Sequence, residues 1–573
     1  MRPTWNLTRF LAATVCAAGL AHAQSAELVP FFEEDAVQPV ELSEAYEASG
    51  HVRIEALDDG QGGHTDHPPY PGDYFFGWTP YQEEAPWYWE IAEGFTHAVE
   101  APSESLAHLS EGLFCAEHFH FETNLSRMAI GIQATPDRPA LLIEWNEGFL
   151  AEGPLGDHIV TPFGATWRPS LWVFGTHRAN FAYRHQQGSV SDGVSDLQFA
   201  EISQRLDIFA QLNLTGTERI LFGMRPLDQE THGPASRLGR EFNGYDFQGG
   251  NWIDGWNNDV QTFFFEGDFG EIFPYLDYHD NYQIDYGFTI GRQPLIAQQG
   301  LLINEDMLDA MTVTRNTLSG NGNLNLRMTG VFAWNRVSRH TQQNFLTVRD
   351  RNSKLFALLT ESDFKTSTVN ADVAYVQSED DLGSMVSWGV SGIQRLHGFR
   401  NHYNTSLHFL ASHPTSGRET PTTGQGELLF SRTSWTPHHG LDLIYVNAFW
   451  GIDQYASATR GPLMGGPAGG GVGILWAHTG LGQYGPPINN QTADSVGGSV
   501  GYQLQFDGTR KQVIFEVGGK ASTVDPHSDT IASGMRYQQA CGQHNVWILD
   551  TYVGKTESRD VATGVRVELL TKF

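Results

Sequence analysis

The chain has 573 residues, 40% of them hydrophobic, and its 35 Lys+Arg against 66 Asp+Glu leave a formal net charge of −31. No run of about 18 apolar residues follows the amino terminus, which excludes helical membrane spans. So acidic a balance also excludes nucleic acid as a partner, because phosphate binding rests on basic charge. The 62 glycines and 12% aromatic content suit β-structure with tight turns and interfacial girdles of Trp, Tyr and Phe.

The amino terminus reads as a secretory signal peptide over residues 1–23. Arg2 and Arg9 mark a basic start, Phe10 to Leu20 is a short apolar core, and Ala21-His22-Ala23 is a small-x-small site. Cleavage is expected between Ala23 and Gln24. Cys16 leaves with the signal; Val15 precedes it where a lipoprotein carries a small residue. The mature chain then keeps Cys115 and Cys541 in an oxidising compartment.

Residues 24–163 hold 26 acidic side chains and 3 basic ones, so most of the net charge sits there. Their start, with Glu33-Glu34-Asp35 and then Glu41, Glu44 and Glu47, reads as a short acidic helix or a solvated tail. Gly60 to Gly72 is a linker. Two runs look folded: Tyr70 to Trp89, and Pro139 to Trp145. Aromatic residues this dense point to a small periplasmic or lumen-plugging region, and a disordered acidic leader is the plainer alternative. Its acidity would suit a basic periplasmic partner. His118 and His120 stand two apart on one strand face, with His64 and His67 upstream. Imidazoles so spaced can share Zn or Cu, yet no Cys-x-x-Cys accompanies them and the chain has 23 histidines, so scattered surface histidines are the favoured reading. No cofactor motif is present.

Residues 164–573 change register to strands of about ten residues joined by alternating short and long connections, the pattern of a transmembrane antiparallel β-barrel. Leu324, Leu326, Met328, Phe332 and Trp334 alternate with Asn325, Arg327, Thr329 and Asn335. Val369, Ala371, Val373 and Tyr375 alternate with Asn370 and Asp372. Val513, Phe515 and Val517 alternate with Gln512, Glu516 and Lys520. Such apolar sets face lipid and the polar sets line a wet lumen. The last ten residues, Gly564 to Phe573, show the same split: Val565, Val567, Leu569, Thr571 and Phe573 against Arg566, Glu568, Leu570 and Lys572. The final strand is expected to close the cylinder, with Phe573 as the terminal signal for the barrel-assembly machinery.

Counting back from a descending last strand places Asp507–Arg510, Thr436–Gly440, Leu318–Gly322 and Leu214–Glu218 on the periplasmic side, as short turns. The long connections at about 227–258 and 458–496 fall outside. The periplasmic stretch Gly267–Asp285 is too long for a tight turn and is expected to hold a helical turn near Ile272-Phe273. The set that satisfies this parity has about 18 strands, the first ascending near residue 170; slipping by one pair gives 16 or 20.

Thr289-Ile290-Gly291-Arg292-Gln293, followed by Gly300-Leu301-Leu302 and Asp309 to Arg315, resembles the Gly-Arg-Gln hairpin of porin-type and alginate-export-type barrels. The resemblance covers the barrel alone and implies an outer-membrane pore with a charged lumen. Arg205, Arg219, Arg225, Arg292, Arg315 and Arg327, with Asp207, Asp309 and Asp372 among them, are the expected pore-lining charges; Arg336 recurs beside them. They either set the field that selects ions or bridge one another and hold the wall.

The Gly-rich run Gly465 to Gly473 lacks a phosphate loop's Gly-Lys-Ser/Thr ending. It reads as a flexible external loop carrying Ile474, Leu475 and Trp476, able to fold inward as a constriction. No nucleophile elbow, haem-attachment motif or EF-hand loop occurs, and nothing in the sequence supports catalysis. The leading function is therefore an outer-membrane pore for small polar or anionic solutes, embedded in outer-membrane lipid. The alternative is a scaffold barrel that sheaths or anchors a partner, such as an electron-transfer cytochrome or a polysaccharide-export component. Cys541 falls in a periplasmic turn and Cys115 precedes the barrel on the same side, so a disulfide between them is expected. It would pin the leader to the last hairpin across more than 400 residues.

Overall fold

The structure, a computed structural model, describes residues 141–573 apart from loop segments at 150–157, 187–196, 231–239, 278–285, 321, 341–346, 379–381, 399–400, 416–419, 421, 438–440, 464–471 and 525–527. The signal peptide, its Ala23–Gln24 cleavage site, the acidic leader up to residue 140, Cys115 and His64, His67, His118 and His120 lie outside the described residues.

Eighteen strands close one wall. It opens with β1 (Ser170–Gln186), β2 (Leu197–Asn213), β3 (Arg219–Met224), β4 (Val260–Asp268), β5 (Tyr286–Ala297) and β6 (Ile303–Gly320). It continues through β7 (Asn323–Asn335), β8 (Lys354–Asp363), β9 (Ser367–Gln377), β10 (Met385–Gly398), β11 (Asn401–Pro414) and β12 (Gly426–Trp435). The last third is β13 (Leu443–Asp453), β14 (Ser495–Phe506), β15 (Lys511–Ser522), β16 (Thr530–Cys541), β17 (Asn545–Thr556) and β18 (Val561–Lys572). Each strand pairs antiparallel with the next, and β18 closes on β1 from Ala562 opposite Gln186 to Lys572 opposite Thr176. Closure leaves no free edge, which lipid would not tolerate.

Alternation follows the residues. On β18, Arg566 and Glu568 are buried inward while Val561 and Val565 are exposed outward. On β15, Phe515 and Val517 face out and Glu516 and Lys520 face in. β9 repeats this, with Val373 out and Asp372 in. Because the side-chain period is two, one slip in register would push these charges into lipid, so the pattern sets the pairing.

The connections alternate as expected. Leu214–Glu218 joins β2 to β3, and Asp507–Arg510 joins β14 to β15. In the latter, Asp507 and Gly508 both take positive φ (54° and 55°), the backbone that tight hairpins need. The β6–β7 turn is tighter than Leu318–Gly322, since the strands run on to Gly320 and restart at Asn323. These short turns share the rim that holds both ends of the circuit, which marks the periplasmic side. Between β4 and β5 the same rim carries a helical turn, Phe269–Ile272, capped by the Asp268 carboxylate accepting from Gly270 N–H, and then a 3₁₀ turn, Pro274–Asp277. β3 is only six residues long. Above it, the strand Arg240–Asp246 takes over pairing with β2, from Gln204 opposite Asn243 to Glu201 opposite Asp246.

Part of the run before the barrel docks on it. Ile143–Trp145 pairs antiparallel with Leu171–Val173 at the foot of β1. Trp172 Nε1 donates to the Glu147 carbonyl at 2.9 Å, Ser170 Oγ donates to the Glu147 carboxylate at 2.9 Å, and the Phe149 ring meets Trp172 edge-on at 5.5 Å.

Candidate functional site: the lumen constriction

The described parts of the long connection after β13, residues 454–463 and 472–494, fold into the barrel. Tyr455, Leu475, Trp476, Leu481 and Ile488 are buried. Trp476 has no exposed surface and packs edge-on against Phe449 of β13, ring centroids 5.3 Å apart. The apolar side chains of this loop would otherwise meet external water, and burial inside the wall supplies the driving force.

Polar anchors from several strands hold the loop inside the wall. Glu516 of β15 accepts from the backbone N–H groups of Ile474 and Leu475, both at 2.9 Å, and from the Tyr445 hydroxyl. Asn447 and Ser499 both donate to the Val472 carbonyl. Four and five strands further round the wall, Arg178 of β1 donates to the Thr479 carbonyl at 3.0 Å and Arg205 of β2 to that of Gly480 at 3.0 Å. Lys520 donates to Asn489 Oδ1 and to the Gln491 carbonyl. The first part of the loop reaches the β5–β6 connection, where the Tyr455 hydroxyl donates to the Leu301 carbonyl at 3.0 Å. Burial pushes the Tyr455 phenol far above its usual range, so it stays a neutral donor. Hydrogen bonds to charged groups are each worth about 1.5–3 kcal/mol, so the charged anchors outweigh the neutral ones.

Glycines make the close approaches. A Cβ at Gly473 would collide with the Glu516 carboxylate, and one at Gly482 with Glu201 and Ser203.

A belt of alternating charges runs behind the loop. Arg536 pairs with Asp550 at 2.6 Å; Arg566 lies between Asp550 and Glu568; and Arg178 grips Glu568 with two hydrogen bonds of 2.6 and 2.9 Å. On β2, Arg205 holds Asp207 at 2.8 and 3.0 Å, and Arg225 reaches the same carboxylate at 2.7 Å. Arg225 also lies 3.3 Å from Asp228 and 3.9 Å from Asp306; Asp306 in turn pairs with Arg460 of the loop, whose other neighbour is Glu305 at 3.7 Å. In most pairs the guanidinium is the wetter member: 19% against 0% side-chain exposure for Arg178–Glu568, 16% against 7% for Arg205–Asp207, and 22% against 8% for Arg536–Asp550. Arg566, 3% exposed, lies beneath the others.

Of the charges expected in the lumen, Arg205, Asp207, Arg225 and Asp372 lie on the inner face and are joined to neighbours; Asp372 accepts from Gln298 at 2.9 Å. Arg219 and Arg327 share the inward parity nearer the periplasmic rim, where they pair with Glu266 at 2.6 Å and Glu361 at 3.3 Å as half-exposed side chains. Three expectations are corrected. Arg292 stands opposite Phe263 and in line with Ile290, both exposed outward, so it faces away from the lumen. Its partner Asp309 shares that outer face with Met311 and Val313. Arg315 lies opposite exposed Tyr286 near the periplasmic rim, with its guanidinium 5.0 Å from that ring's centroid. There its stem lies along the wall and its charge can reach the membrane surface.

Arg178, Arg460, Arg536, Arg566, Asp550, Glu516 and Glu568 carry much of the site and were not singled out together from the sequence. Alternation on β15 and β18 already placed Glu516, Arg566 and Glu568 inside; what no pattern showed was which strands stand side by side. Cys541 is the last residue of β16, and its expected partner Cys115 lies outside the described residues. Among the described residues no cluster of His, Cys, Asp and Glu could hold a metal.

A closed antiparallel wall of 18 strands, apolar outside and charged inside, is a transmembrane β-barrel. No family model and no curated protein matches the chain. Among solved structures it is similar to Pseudomonas aeruginosa OccK9 (OpdG), at 10% identity and TM-score 0.45, over 70% of this chain and 98% of that one. A BenF-like porin from Pseudomonas fluorescens Pf-5 is similar at 9% identity and TM-score 0.45, over the same shares of 70% and 98%. The outer membrane protein opdK from Pseudomonas aeruginosa is similar at 11% identity and TM-score 0.43, again over 70% and 98%.

Proposed function

We propose that the barrel passes small polar or anionic solutes through a lumen narrowed by the 454–494 loop. The observation that carries this reading is the asymmetry of the charge belt. In most of its pairs the carboxylate is the more buried member and the guanidinium the wetter one. A belt that is close to neutral in total then presents a positive inner surface, and a ring of that sign draws anions into the constriction. Arg219 and Arg327 extend the same surface toward the periplasmic rim, each again more exposed than its carboxylate.

The reversal potential of the reconstituted protein under a KCl gradient tests the proposal. Chloride should be preferred over potassium, and Arg178→Gln together with Arg205→Gln should weaken the preference. A potassium-preferring wild type would overturn it.

A further inference from the structure

One arginine of the inner wall stands outside the charge belt. Arg184 shares the inward parity of Arg178 on β1 and lies nearer the external end of that strand. Guanidinium charge is permanent, and the belt arginines Arg178, Arg205, Arg536 and Arg566 each have a carboxylate to answer it. Among the described residues no carboxylate pairs with Arg184. Glu201 of β2, opposite Ala182 just below, accepts instead from the Gln483 N–H of the loop. The Arg184 Nε is sealed in the wall without an acceptor, while the residue as a whole is only half-buried.

The tip of the inward loop comes to this arginine and brings His478, which is exposed. The next two residues, Thr479 and Gly480, are held through their carbonyls by Arg178 and Arg205, so the imidazole is carried on a fixed piece of backbone. Gly485 lies between the two groups: a Cβ there would stand 3.3 Å from Arg184 Nη1 and 3.9 Å from His478 Cε1. On β18, Gly564 stands opposite Arg184, and a Cβ there would collide with the Tyr552 ring. The two glycines thus leave room around the guanidinium. Its neighbours Tyr552 and His478 bring it no negative charge.

We propose that Arg184 and His478 together bind a phosphoryl group in the lumen, carried by free phosphate or by a small phosphate ester. The inference rests on the anion-passing reading of the lumen and names the anion that it favours. A guanidinium edge engages two oxygens of an oxyanion through parallel N–H bonds. A carboxylate held in this way has both oxygens in the guanidinium plane and no third one for an imidazole that approaches from the loop. A phosphoryl group has that third oxygen. When singly charged it also carries an O–H, so it matches the imidazole whichever ring nitrogen holds the hydrogen.

Block of the chloride current through the reconstituted full-length barrel tests the site. Inorganic phosphate, glycerol phosphate and acetate are added to both sides at about pH 5.5, where all three are mainly singly charged. Phosphate or glycerol phosphate should half-block at roughly tenfold lower concentration than acetate, the weight of one hydrogen bond to a charged group. Whichever of the two blocks more tightly tells the free ion from the ester. Arg184→Gln should remove the block, and His478→Ala should raise the half-blocking phosphate concentration to that of acetate. Heat-shifted gel mobility shows that each variant is folded. Equal block by phosphate and acetate in the wild type would overturn the proposal, as would a phosphate preference that survives both substitutions. In a chloride-preferring barrel either result removes this site alone, whereas a potassium-preferring barrel removes the anion reading beneath it.

Discussion

Glu568 has no exposed side-chain surface and lies between Arg178 and Arg566. Removing one member of such a set leaves buried charge without compensation. Glu568→Gln is therefore expected to destabilise the refolded barrel by about 3 kcal/mol, read as a lower urea midpoint; an unchanged midpoint would show that water already solvates both guanidiniums. The same scale explains the two corrected arginines. Arg292 and Arg315 were grouped with the lumen by residue type, although Ile290, Met311 and Val313 lie two residues from Arg292, Asp309 or Arg315 and share their parity. Parity carried more information than charge did. Arg292 pairs in place on the outer face and Arg315 lies against a Tyr ring, so neither has to turn inward.

At the scale of the element, the short turns, the helical turn after β4 and the inward run of Ile474, Leu475 and Trp476 were legible, because each has a local cause. Aspartate and glycine at positive φ make the first, an Asp N-cap the second, and an apolar cluster beside a Gly-rich stretch the third. The anchors of the loop were not legible. Glu516 and Arg178 reach it from strands far apart in sequence, and only closure of the wall brings them to one place. The end of β18 is also defined by closure. Phe573 N–H donates to the Gly175 carbonyl at 3.1 Å and its carbonyl accepts from Gly175 N–H at 2.7 Å, while a Cβ at Gly175 would lie 2.9 Å from the Phe573 ring. Deleting Phe573 should lower the amount of heat-modifiable barrel in the outer membrane, since this last contact of the seam would go; undiminished assembly would remove its special role.

For the whole molecule, the strand number to within one pair and the rim on which each short turn lies followed from parity, because a wall with lipid outside and water inside allows each strand only one orientation. What the lumen contains did not follow from parity. Inner residues are free to pair with each other, with a folded-in loop or with a solute, and their periodicity is the same in each case. On the proposed function, the 454–494 loop sets the narrowest part of a conducting lumen. Single-channel conductance measures this most directly, comparing the wild type with a variant in which a short Gly-Ser linker joins Asp453 to Asp494. With folding verified by heat-shifted mobility, conductance is expected to rise several-fold, from small well-defined steps to large ones. Equal conductance in the two proteins would contradict the account, because the loop would then not be what limits passage.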